Sequence, residues 1–222
     1  MIRLAMGIGG WLFAAVYDRM TARAEAAGIG AYREHLLSGA RGRVLEIGAG
    51  TGANFPFYRE GVESVTLAEP EGPMARKLER RIQAQSQRSQ QSWTAEIVRA
   101  PAERLPFADA EFDTAVSTLV LCTVTDQVQA LCELRRVLKP GGRLLFLEHV
   151  RSDEPGLAAW QDRLNGLNRV VACGCNCNRA TLDAIRAAGF RITSLKRDQF
   201  PKAPPFVRPL VVGTAESGAA AP

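Results

Sequence analysis

The chain lacks an apolar run long enough to cross a bilayer, which takes ~20 helical residues; its longest such stretch, Leu4 to Tyr17, is shorter. Cysteine is sparse, five residues without a paired framework, which argues against a disulfide-stapled secreted domain. Reduced thiols in a cytoplasmic protein are expected instead. No repeat with a period of ~20–50 residues occurs, so solenoid and collagen-like architectures are set aside. Disorder as the main state needs low hydrophobicity with high net charge, and here 46% of the 222 residues are apolar and 23% charged. Lysine is scarce: 4 stand beside 24 arginines and 23 acids, for a formal charge of +5. That surplus permits weak attraction to anionic ligands or membranes, or reflects genome composition. There is no basic-aromatic stripe and no Asn/Asp-Pro-Pro-aromatic turn, so a nucleic-acid partner is not expected. What remains is a length suited to one α/β domain with a small appended element.

Strand and helix signals alternate five times after residue 40. Arg43–Ile47, Ser64–Ala68, Glu96–Arg99, Asp113–Ser117 and Arg143–Glu148 read as strands. Helices are expected from near Ala53, from Pro73 through Ile82, and over Asp126–Leu138, the last stopping at Lys139-Pro140-Gly141-Gly142. Asp18–Leu37 is helical with Gly28 and Gly30 interrupting it. Beyond strand five lie a variable stretch, a helix at Arg179–Ala188 and two strand-like runs, Arg191–Leu195 and Val207–Gly213. Such alternation predicts parallel strands joined by right-handed crossovers, with helices on both faces and ligands at the carboxyl edge of the strands.

At that edge the first strand runs into Gly48-Ala49-Gly50-Thr51-Gly52, where glycines let the backbone approach a ligand closely. The same residues satisfy the dinucleotide pattern G-x-G-x-x-G/A, and Glu69, about 20 positions on, would accept from ribose hydroxyls in either case. Three features discriminate. Glu46 stands two residues before the first glycine, where a carboxylate can face a cationic amino-acid group. No Tyr-x-x-x-Lys follows Tyr17, Tyr32 or Tyr58, so the usual base of short-chain dehydrogenases is missing. The third is Leu134-Arg135-Arg136-Val137-Leu138-Lys139-Pro140-Gly141-Gly142 before strand five.

Together with Ala102-Glu103-Arg104-Leu105-Pro106-Phe107, these segments resemble class I S-adenosylmethionine-dependent methyltransferases, the group that includes ubiquinone/menaquinone-biosynthesis enzymes. Thr51-Gly52-Ala53-Asn54-Phe55, Ser117-Thr118-Leu119-Val120-Leu121-Cys122, Glu148-His149-Val150 and Gly174-Cys175-Asn176 are similar more narrowly to the animal alkyl-thiol S-methyltransferases called methyltransferase-like seven. The resemblance implies a doubly wound α/β fold of seven strands, the last antiparallel, over residues 41–216. A helical cap would occupy 1–40 and a flexible tail 217–222. It implies S-adenosylmethionine as cofactor, with S-adenosylhomocysteine as product, and a small-molecule methyl acceptor. The acceptor would be a hydrophobic thiol or, alternatively, a quinone precursor or other secondary metabolite methylated on carbon or oxygen. It further implies a cofactor set of Glu46, Gly48, Ala49, Gly50, Gly52, Asn54, Glu69, Pro70, Ala102, Glu103, Thr118 and Leu119. The family often has an acid just before that alanine; here it is Pro101.

Methyl transfer from a sulfonium is an in-line displacement governed by alignment, and a thiol of pKa ~8.5 needs little help to ionise. His149, after strand five, is the candidate for catalytic assistance, with a structural histidine as the alternative; His35 is read as structural. Cys122, Glu148, Cys175, Asn176, Arg179 and Trp11 are the candidate acceptor-pocket residues. Cys173-x-Cys175-x-Cys177 invites a zinc reading, but its spacing is not that of structural zinc pairs, and no metal is expected. Cys132 is read as core, Trp11, Phe13 and Trp160 as pocket walls or core, and Arg80-Arg81 and Arg135-Arg136 as solvated helix faces. For Leu4–Tyr17 three readings stand: a cover over the crevice, a peripheral membrane contact, and a processed leader, the last without a small-x-small cleavage site. Oligomeric state is not legible.

Overall fold

The computed structural model describes residues 14, 17–19, 21–86, 92–172 and 174–218. Trp11, Phe13, Cys173, most of Leu4–Tyr17 and the end of the tail lie outside them. Seven strands form one sheet in the order β3-β2-β1-β4-β5-β7-β6. They are β1 (Gly42–Ile47), β2 (Val62–Ala68), β3 (Thr94–Val98), β4 (Phe112–Thr118), β5 (Leu138–His149), β6 (Phe190–Gln199) and β7 (Pro209–Ser217). The first five run parallel, and β7 lies antiparallel between β5 and β6. The doubly wound seven-stranded architecture is thus present, with β6 and β7 both longer than their apolar cores suggest.

The helices are α1 (Gly30–Leu37), α2 (Gly72–Ser86), α3 (Gln127–Val137), α4 (Pro155–Val171) and α5 (Thr181–Ala187). Leu131, Leu134 and Val137 of α3 and Leu182 and Ile185 of α5 pack on one face with Leu45, Ile47, Ala115, Leu144 and Phe146. Leu36 and Leu37 of α1 and Leu78 of α2 pack on the other with Val44, Val65, Val116, Leu145 and Leu147. Burial on both faces explains the near-continuous apolar runs of β1 and β5. Asp126 caps α3 by accepting from Gln129 N at 3.0 Å.

Several expectations need correction. No α-helix starts near Ala53. The chain makes a 3-10 turn, Phe55–Phe57, because Gly52 adopts φ +85° and Pro56 lies inside the first turn. Asp18–Leu37 is broken by a π-turn at Glu25–Ile29, where Gly28 takes φ +141°. The variable stretch after β5 contains the 17-residue α4, whose buried positions include Gln161 and Asn168 while Trp160, Leu167, Val170 and Val171 are exposed. Cys132 is exposed rather than core. Arg136 is no solvated charge: it donates to Glu133, Asp109 and the Leu105 and Phe107 carbonyls. No described helix is long and apolar enough to cross a membrane.

Gly213 sits opposite Phe146 of β5 and Leu195 of β6. A Cβ there would lie 2.4 Å from the Ser194 carbonyl oxygen and 2.6 Å from Phe146 Cζ. Gly213→Ala is expected to lower stability by about 2 kcal/mol through overpacking, measured as a lower urea midpoint with an unchanged denaturant slope.

Candidate functional site

The glycine turn leaves the carboxyl end of β1 with Gly48, Gly50 and Gly52 at φ +55°, +58° and +85°. A Cβ on Gly48 would strike Val120 at 2.6 Å, and one on Gly52 would strike Leu78 at 2.7 Å. These two glycines answer to packing inside the protein. A Cβ on Gly50 would meet nothing nearer than the Gly48 oxygen at 3.8 Å, so the middle of the turn faces open space. Beside that space Glu69 accepts from Gly50 N at 2.7 Å and from Glu71 N at 2.8 Å. Burial raises its carboxyl above the usual range, against the pull of these two N–H groups.

Glu46 lies below the turn, on the sheet face that α1 covers. It accepts from Tyr58 Oη at 2.6 Å and Asn54 Nδ2 at 3.0 Å. Burial pushes its carboxyl up to about 7, even though both donors favour the anion. Asn54 also donates to Thr118 Oγ1 at 2.9 Å and accepts from Arg33 Nη1 at 2.8 Å. Arg33, buried at 4% exposure, reaches from α1 to Thr118 and also donates to Glu25 in the π-turn. Asp18 accepts from Thr51 at 2.6 Å and from Lys77 at 3.1 Å, which ties the N-terminal segment to the turn.

A second cluster forms on the other side of the sheet, under the loop that follows β4. Leu119 opens this loop with φ +62°, a left-handed conformation uncommon for leucine, and its N–H is fixed to the Leu147 carbonyl. Glu148 is fully buried and accepts from Ser117 Oγ and from the N–H groups of Val120, Leu121 and Cys122, at 2.7, 3.1, 3.0 and 3.3 Å. Arg179 grips the same loop from outside by donating to the Leu121 and Val124 carbonyls. Glu103 accepts from Thr125 N and Asp126 N at the far end of the loop. Asn176 donates through both its backbone N and Nδ2 to the Cys122 carbonyl, and the Cys122 and Cys175 sulfurs lie 3.6 Å apart.

The proposed cofactor residues Glu46, Gly48, Ala49, Gly50, Gly52, Asn54, Glu69, Thr118 and Leu119 thus converge on one end of the sheet. Pro70 is exposed beside them, with its carbonyl bonded to Arg99, and Ala102 is buried in the core. Cys122, Glu148, Cys175, Asn176 and Arg179 form the second group. His149 points to the opposite face from Glu148, against the Phe200 ring at 4.7 Å. Burial lowers its imidazole to about 4, and Nδ1 has no hydrogen-bond partner among the described residues. Trp160 is 57% exposed, so it is not a core residue. Arg33 and Tyr58 escaped the sequence reading. A signal existed for Arg33: it shares the buried helical stripe of Ile29, Leu36 and Leu37.

An adenosyl amino acid fits these residues. The open space over Gly50 accommodates close approach, Glu69 is a carboxylate beside it, and Glu46 is a buried acid without a cationic hydrogen-bond partner among those described.

The comparisons agree. A family model described as a methyltransferase domain matches residues 45–146. The human thiol S-methyltransferase TMT1A is 35% identical over 173 residues, 78% of this chain and 69% of that protein. Human thiol S-methyltransferase TMT1B is 37% identical over 183 residues, 81% of this chain and 73% of that protein. Among solved structures, the YcgJ protein of Bacillus subtilis superimposes with a TM-score of 0.68 at 16% identity, covering 86% of this chain and all of that one (100%). Geranyl diphosphate methyltransferase in complex with S-adenosylmethionine superimposes with a TM-score of 0.63 at 15% identity, covering 84% of each chain. The chain belongs to the family of S-adenosylmethionine-dependent methyltransferases that contains these thiol S-methyltransferases.

Proposed function

We propose that the protein methylates the sulfur of a small hydrophobic thiol at the end of the sheet where the two clusters meet. The observation that carries this reading is the engagement of the acids there. Glu46 and Glu148 are each buried and occupied by donors, and His149 is enclosed against Phe200, where burial makes its imidazole a weak base. None of them is poised as a strong general base. A sulfur acceptor tolerates that, because a thiol with pKa ~8.5 supplies its own reactive anion; phenolic, amine or carbon acceptors gain more from a base. The thiol substrates named for the human relatives support the same choice.

Bound S-adenosylmethionine supplies an electrophilic methyl group on a sulfonium. Glu69 would hold the ribose hydroxyls, and Glu46 would face the ammonium of the amino-acid portion. Asn54, Thr118 and Arg33 hold Glu46 and the turn in register. The chain's contribution is positional: a fixed acceptor loop opposite a fixed glycine turn removes translational freedom from the reacting partners.

A panel of alkyl thiols, phenols, amines and quinol precursors is expected to yield methyl thioethers from the thiols alone. Unreacted thiols beside a methylated phenol or quinol would sink the proposal. kcat/KM is expected to climb with pH toward the acceptor's own pKa and to move with it across a thiol series, with no limb set by His149 between pH 6 and 9. His149→Gln is expected to cost less than the ~100-fold or more that loss of a general base brings. With S-adenosylmethionine saturating, a larger loss, or a limb that stays put when the acceptor changes and that His149→Gln removes, would assign His149 the proton transfer.

Glu46 predicts a pH dependence of binding. Its carboxyl sits near 7 when buried beside neutral donors, and an ammonium favours the ionised form. Affinity for S-adenosylhomocysteine is therefore expected to tighten from pH 6 to pH 8, by up to about tenfold per unit below that value. Glu46→Gln is expected to bind more weakly at pH 8 and to show a flatter profile by calorimetry. Burial raises Glu69 too, so a residual slope of the same sign remains.

A further inference from the structure

Cys122 and Cys175 are 53 positions apart in the chain, and both are buried, at 1% and 6% exposure. Their sulfurs lie 3.6 Å apart. Both segments are held on either side of the pair. The Cys122 carbonyl receives two hydrogen bonds from Asn176, its N–H donates to Glu148, and the Cys175 carbonyl accepts from Asn168 at 2.8 Å. Closing 3.6 Å to a disulfide's ~2.05 Å asks the two sulfurs to approach by ~1.5 Å.

The geometry points to a thiol–disulfide exchange site: Cys175 attacks a small organic disulfide and Cys122 resolves it, an activity separate from methyl transfer. The two sulfurs are not equivalent. The Cys122 thiol and the Asn168 side chain stabilise an anion on Cys175, the Arg179 charge adds to this, and the Cys175 thiol is lowered despite burial and the nearby Glu148. Cys122 is raised by sharing its proton with Cys175, by burial and by Glu148. Cys175 is also the more exposed of the two. Cys177, two residues on, offers an internal contrast: burial pushes its thiol up to about 11, and its sulfur lies 3.8 Å from Asn165 Oδ1.

The chemistry balances within one turnover. The Cys175 thiolate attacks one sulfur of R–S–S–R, forming Cys175–S–S–R and expelling R–S⁻. Cys122 then attacks the Cys175 sulfur, its proton passes to the departing second thiolate, and a Cys122–Cys175 disulfide remains. The small disulfide gains the two electrons that the cysteine pair loses, and a low-molecular-weight thiol restores the pair by the reverse exchange. The products are thiols, released beside the loop that the proposed methylation uses.

The test uses as parent the full, reduced chain with Cys173 and the exposed Cys132 replaced by serine, so that only Cys122, Cys175 and Cys177 can release the chromophore. It is run without S-adenosylmethionine, so it is independent of methylation. Dithiodipyridine serves as the small disulfide, and released pyridinethione is followed by absorbance. A fast phase is expected that releases two pyridinethiones per chain, retains no adduct, and leaves a Cys122–Cys175 crosslink on peptide mapping. Cys122→Ser is expected to release one in that phase and to retain the probe on Cys175. Cys175→Ser is expected to slow the phase by about tenfold or more, and Cys177→Ser to leave it unchanged. A fast phase that survives Cys175→Ser overturns the proposal, as does a parent peptide map that shows adducts on Cys122 and Cys175 without a crosslink. The parent map decides the matter even where a variant folds poorly.

Discussion

Three buried carboxylates at one edge of the sheet, Glu46, Glu69 and Glu148, set the constraint on which the site depends. A buried carboxylate is costly unless donors surround it, and here the donors that bind all three are neutral. Tyr58 and Asn54 serve Glu46, two backbone N–H groups serve Glu69, and Ser117 with three N–H groups serves Glu148. Satisfying each acid fixes a loop. Glu69 draws in the glycine turn, Glu46 anchors the 3-10 turn that replaces a helix, and Glu148 shapes the segment after β4, including the left-handed Leu119. Loops in this fold would otherwise be its softest parts. Here they are bound to the most rigid element by hydrogen bonds that cost several kcal/mol to leave unmade.

Much of this edge was legible in the sequence because the sheet's rules are strong. Parallel strands buried on both faces write apolar runs, and each run's end marks a position at the carboxyl edge. Gly48–Gly52, Glu69 and the residues after β4 and β5 were placed that way, and the structure brings most of them together. The misses have physical causes too. α4 buries Gln161 and Asn168, which donate to the Val150, Cys177, Phe206 and Cys175 carbonyls, while Trp160, Leu167, Val170 and Val171 face outward. Hydrophobic periodicity reads such a helix inside out. Arg33 was missed for the opposite reason: a charge on an apolar stripe looks like an interruption until its partners are known.

The pairing of Glu148 with His149 shows the limit of reasoning from adjacency. Side chains of consecutive strand residues point to opposite faces. Glu148 therefore enters the layer beneath the loop that follows β4, while His149 enters the layer with Phe200. Two residues that look like a catalytic pair in sequence belong to different environments. One is saturated with donors, and the other has an enclosed nitrogen without a partner among the described residues.

The same loop carries the asymmetry between the two sulfurs. Glu148 takes the Cys122 N–H and so places negative charge near that thiol, and Arg179, donating to the carbonyls on either side, places positive charge near both. Cys175 enters from a different segment, and the carboxylate acts on it through charge alone, whereas it also accepts the Cys122 N–H. The pair is split between a loop tied to the sheet and a loop tied to α4, and Cys175 is the sulfur whose thiol is lowered. The chemistry of the sulfurs at this edge thus follows from which buried acid holds which stretch of backbone.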